Sequence, residues 1–105
     1  MKITLDSHST VTRHTRTVQL EDGPVISAGP DYYDGTFFRI EKVRSVWLEG
    51  EQPSALRVSG KRCDEQGNPK HDGGYWHTHE RGLFVSELED LGLHDIAAMF
   101  NTEEG

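Results

Sequence analysis

Along the first two-thirds of the chain, apolar and polar residues alternate at a period of two, the signature of half-buried strands. Ile3 and Leu5 mark a short first strand. A threonine-rich run from Val11 to Leu20, with Thr12, Thr15 and Thr17 between Val11 and Val18, predicts a second strand near a sheet edge. Glu21-Asp22-Gly23-Pro24 reads as a turn, and Val25-Ile26-Ser27-Ala28 as a brief returning strand. The strongest apolar signal runs from Thr36 to Glu49. There Phe38, Ile40, Val46 and Leu48 fall on even positions, whereas Phe37, Val43 and Trp47 fall on odd ones. A bulge or bend near Lys42 returns both halves to one core face. Leu56 and Val58 alternate with Arg57, Ser59 and Lys61, and Tyr75 to Arg81 leads back, so residues 55–81 predict a β-hairpin with a long polar tip.

After residue 85 the period becomes helical. Leu88, Leu91, Ile96, Met99 and Phe100 make one apolar stripe. Ser86 followed by Glu89 matches a capping box, with Val85 as its hydrophobic staple. Gly92 costs roughly 1 kcal/mol against alanine inside a helix, which favours a break there and a restart near His94. The predicted architecture is a single α+β domain over residues 1–105. A mainly antiparallel sheet of four to six curved strands (about 1–82) is covered by one C-terminal helix (about 86–101), and residues 102–105 form a frayed acidic tail.

Composition limits the chemistry. Leu, Ile, Val and Phe supply 23 of 105 residues, just above the roughly 20% floor for a globular chain. The core is therefore thin and leaves little room for a large enclosed substrate chamber. No apolar run approaches the roughly 20 residues a membrane helix requires, and the N-terminus lacks the apolar stretch of a secretory signal. A single cysteine, Cys63, allows no internal disulfide, and the expected setting is a reducing cytosol. The net charge is −7, and residues 83–105 carry six acids and no Lys or Arg. This acidity disfavours nucleic acid as a partner and points to protein contacts.

Candidate chemistry centres on Tyr75-Trp76-His77-Thr78-His79-Glu80. Residues two apart on a strand share a face, so His77 and His79 are candidate zinc ligands, with Cys63, His71 or Asp72 nearby to complete the set. The competing reading of the two histidines is a solvated strand face, and that of Cys63 a small buried residue. His77-Thr78-His79, six residues, then Ser86 and Glu89, resembles the JAMM metalloprotease motif. That family has seven residues at the gap, Asp at the last position and an upstream glutamate as general acid/base. The resemblance implies a metal-dependent hydrolase with His77 and His79 as ligands. No nucleophile elbow and no Gly-rich phosphate turn is present.

Two binding readings remain. Arg39, Lys42, Arg44, Arg57, Lys61 and Arg62 can gather with Trp47 on neighbouring strands, as in single-stranded nucleic-acid-binding sheets. Against this, acids interleave with the bases, and a solvated sheet face explains the same alternation. Tyr32 and Tyr33 lie in a Gly/Pro/Asp loop where burial is hard to arrange; with Trp47 and Trp76 they are candidate partner-binding aromatics. Val46-Trp47-Leu48-Glu49-Gly50 and Ser54-Ala55-Leu56-Arg57-Val58-Ser59-Gly60-Lys61-Arg62 resemble small hypothetical proteins encoded by actinobacteria and their phages. The resemblance implies a one-domain cytosolic accessory protein that binds a host protein. The leading expectation is thus a non-enzymatic protein working through protein contacts, including a homodimer through a sheet edge.

Overall fold

A computed structural model of the chain describes residues 1–30, 35–69, 71–72, 75–76 and 78–100. It is mostly antiparallel sheet with two short helices on one face. The strands are β1 (Lys2–Ser9), β2 (Arg13–Glu21), β3 (Val25–Ser27), β4 (Phe37–Leu48), β5 (Ala55–Cys63), β6 (His71–Asp72), β7 (Tyr75–Trp76) and β8 (Thr78–Phe84). The main sheet has the order β1-β2-β4-β5-β8, with β3 also paired to β4; β6 and β7 form a separate two-stranded ribbon.

Several expectations hold, and their differences have local causes. The hairpin over 55–81 appears as β5 against β8, running from Ala55↔Phe84 to Lys61↔Thr78. The returning strand is Thr78–Phe84 rather than Tyr75–Arg81, because Tyr75 and Trp76 pair with Asp72 and His71. The bulge near Lys42 is present: the β4–β5 register shifts between Ile40 and Lys42, so Phe38 and Ile40 share the core face with Val43 and Ser45. Gly60 sits opposite this shift, and a Cβ there would overlap the Arg39 carbonyl oxygen. The threonine-rich strand lies near the edge, as expected. It lies between β1 and β4, and β1, far longer than Ile3–Leu5, is the edge.

The strand after Pro24 also differs from expectation, because it does not return. Gln19 faces Lys42 and Val25 faces Arg39, so β2 and β3 run in one direction along β4. The intervening residues make a kink, with Asp22 at φ 53° and the Pro24 carbonyl accepting a hydrogen bond from Ile40 N at 2.9 Å. The extra residues on that line sit opposite the β4 bulge, so the ladder resumes with the core face unchanged.

The single helix is two: α1 (Val85–Asp90) and α2 (His94–Ala98), separated at Gly92, whose φ of 78° ends the first. The expected Ser86–Glu89 box is not the cap. The N-cap is Phe84, whose backbone N–H donates to the Glu87 carboxylate at 3.0 Å, and Val85 is the first helical residue rather than a preceding staple. Helices this short owe their stability to packing. Leu88, Ile96, Ala97 and Phe100 are buried against Val18, Phe38, Ile40, Val43, Leu56, Val58 and Leu83. Arg16 ties α2 to β2 by donating to the Met99 carbonyl at 2.6 Å, where a cation also suits the negative helix end.

Candidate functional site

Strand alternation divides the sheet into a helix-covered face and an open face, and the described candidate residues fall on both. Pairing of Gly60 with His79 puts His79 on the covered side, half-buried, with its ring centroid 6.5 Å from Phe38. Cys63 is buried, and its odd position along β5 turns it toward the opposite face, under the loop that ends at Pro69. The sheet therefore stands between His79 and Cys63. His77, Tyr32, Tyr33 and the side chain of Trp76 lie outside the described residues, as does the tail 101–105. Among the described residues no group of three His, Cys, Asp or Glu side chains is placed to hold a metal ion. Trp47 is half-buried on the covered side, so it is separated from the basic set expected to accompany it.

That basic set is largely gathered on the open face. Across β2, β4, β5 and β8 one row reads Thr17, Arg44, Arg57 and Gly82, the next Gln19, Lys42, Ser59 and Glu80. Arg44 and Arg57 are thus directly opposite on the two central strands, an arrangement of like charges that costs stability. Arg57 has a long ion pair with Glu80 at 3.8 Å, both side chains being well exposed, which is worth little. Arg13 and Arg44 have no carboxylate within ion-pair distance among the described residues. Arg39 is engaged elsewhere, donating to the carbonyls of Gly23 and Gly67 at 2.7 and 3.0 Å.

Between the arginines lies a shallow depression of about 510 Å³ lined by Arg13, Arg44, Val46, Ala55, Arg57 and Gly82. Gly82 contributes no side chain, and a Cβ there would meet nothing within 4 Å, so the floor is open. Apolar side chains surround it: Val46, Leu48 and Phe84 are 43%, 55% and 58% exposed. Three guanidinium groups, those of Arg13, Arg44 and Arg57, thus stand beside exposed apolar side chains on this face, with Lys42 and Glu80 in the neighbouring row.

A second cluster sits at the far end of the β1–β2 hairpin, beyond the helices and on the opposite face. The register aligns Ser9 with His14 and His14 with Trp47 in one row across three strands. The His14 ring stacks on Trp47 with centroids 5.5 Å apart and an interplanar angle of 22°. Its Nδ1 lies 2.8 Å from Ser9 Oγ and its Nε2 2.5 Å from Glu49 Oε2. Arg16 lies over the Trp47 ring at 5.7 Å. Sequence reasoning missed this cluster because Glu49 is 35 positions from His14. The available signal was the four-residue gap between Ser9 and His14, which a tight hairpin places side by side.

Comparison with protein-family profiles, curated proteins and solved structures returns no match. No helix among the described residues is long and apolar enough to cross a membrane.

Proposed function

We propose that this chain is a binding protein whose open sheet face receives an acidic, partly apolar surface of a partner protein. The observation that carries this reading is the facing pair Arg44 and Arg57 beside Val46 and Ala55. Two guanidinium groups held opposite each other repel in the free protein, and a carboxylate between them turns that cost into charge-assisted hydrogen bonds. Arginine forks suit carboxylates, and the surrounding aliphatic side chains supply the dehydrated contact that gives an interface its affinity. The overall charge of −7 works against a polyanion as long as a nucleic acid, while a local acidic patch feels mainly the basic face.

Amide chemical shifts provide the test. A peptide of alternating Glu and Val should shift Arg44, Val46, Arg57 and Gly82 and leave the helix residues unmoved, and a Lys/Val peptide should shift none of them. Shifts confined to the helices, or none with the acidic peptide, overturn the reading. Oligothymidylate binding the same face more tightly than the acidic peptide at low salt would replace a protein partner by single-stranded nucleic acid. Sedimentation of the protein alone reads out a second copy as the partner, since residues 83–100 bring an acidic layer of their own.

A further inference from the structure

We propose that Ser9 is an activated nucleophile that accepts an acyl group from small activated esters, with His14 as its general base and Glu49 as the group that positions the base. The site is separate from the open sheet face and does not depend on the reading given for it.

The assignment follows from which atom can carry which proton. An ionised Glu49 only accepts, so the contact at His14 Nε2 requires a hydrogen on that nitrogen. A neutral imidazole then has its lone pair on Nδ1, and the Ser9 hydroxyl must donate to it across the 2.8 Å contact. The three groups are therefore aligned as nucleophile, base and orienting carboxylate. The ring is also held in place. Its face rests on Trp47, whose own ring lies against Arg16, and Arg16 is fixed by Ser7 Oγ at 3.1 Å and the Met99 carbonyl at 2.6 Å. Glu49 is tethered by its backbone N–H, which donates to the Thr12 carbonyl at 3.0 Å. The His14 side chain is 24% exposed and that of Glu49 64%, so the base is sheltered while Ser9 stays open to reagents.

In the reaction, Ser9 Oγ bonds to the ester carbonyl carbon as its proton passes to His14 Nδ1, and Glu49 stabilises the resulting imidazolium. The tetrahedral species collapses by breaking the bond to the leaving oxygen, which takes the proton from Nδ1 and departs as an alcohol or phenol. Ser9 is left as an acyl ester. A water molecule then adds to that ester with Nδ1 again taking the proton, and collapse returns the proton to Ser9 Oγ and releases a carboxylic acid. Ser9 is exposed, so the substrate class is small esters with good leaving groups, such as phenyl acetates.

The test uses the full chain with p-nitrophenyl acetate. Phenol release should fall at least about tenfold in Ser9→Ala and in His14→Ala, the scale of positioned acid–base help, and mass analysis should find one acetyl group on the Ser9 peptide. Glu49→Gln keeps an oxygen that can accept from Nε2 but removes the charge that stabilises the imidazolium; acylation should fall with it, and Glu49→Asp should restore part of the rate. Thermal melting shows that each variant is folded. Unchanged phenol release in Ser9→Ala, or acetyl found on a histidine or lysine and not on Ser9, overturns the proposal and leaves the cluster a clasp for the hairpin end.

Discussion

The two faces of one sheet obey different rules. On the helix-covered face Val18, Phe38, Ile40, Val43 and Val58 are wholly buried, and the single buried polar side chain among the described residues, Ser45, is satisfied by the Ala55 carbonyl at 2.9 Å. On the open face the intervening residues of the same strands leave Val46, Leu48 and Phe84 in solvent and set Arg44 against Arg57. The covered face is what a small domain needs to fold. The open face sets like charges against each other at a cost in stability, and the proposed binding role rests on that contrast.

The largest effect should come from removing the cover. Deleting residues 86–105 takes away Leu88, Ile96, Ala97 and Phe100 and bares the apolar residues they pack on, so the truncated chain should show no cooperative melting transition in calorimetry. A well-folded monomer would mean that the sheet does not depend on its helices. Next in size, Gly60→Ala drives a methyl group into the Arg39 carbonyl at the β4–β5 register shift. A loss of about 1–3 kcal/mol is expected in urea unfolding, and an unchanged midpoint would place the bulge elsewhere.

Arg16→Ala should cost about 1–2 kcal/mol, because the Met99 carbonyl loses its cationic donor. Faster amide exchange over residues 94–100 than in the sheet would localise the loss to α2. Smallest is Arg44→Gln on the open face. Relief of the facing like charges should leave stability unchanged or raise it by about 0.2–1 kcal/mol, while affinity for the Glu/Val peptide falls about tenfold, roughly 1.4 kcal/mol. A clear destabilisation would make Arg44 structural and remove the contrast between the faces.

Much of the strand pattern was legible because burial alternation is printed in each strand. Phe38 and Ile40 against Val43 announced the bulge at Lys42, and Leu56 and Val58 announced the inward side of β5. The helix break at Gly92 was legible from residue type. The cap at Phe84 was not, since its partner is the Glu87 side chain acting on a backbone N–H, which any residue possesses. Nor was the role of Glu21–Pro24. Such a string suits a reversal, and only the competing pairing of β3 with β4 makes it a kink in a continuing line. Trp47 shows the same limit: its size suggested a binding aromatic, yet the register gives it a stacking partner in His14.

What the residues alone determined was local: which segments extend, which coil, where the period slips and where the charge accumulates. These follow from side-chain spacing and backbone preference within a few residues. Tertiary structure decided which face the helices would cover, that the bases would be left on the other, and that Ser9, His14 and Glu49 would meet. Those outcomes depend on strand order and register, which are set by burying the whole apolar set at once and are encoded at no single position.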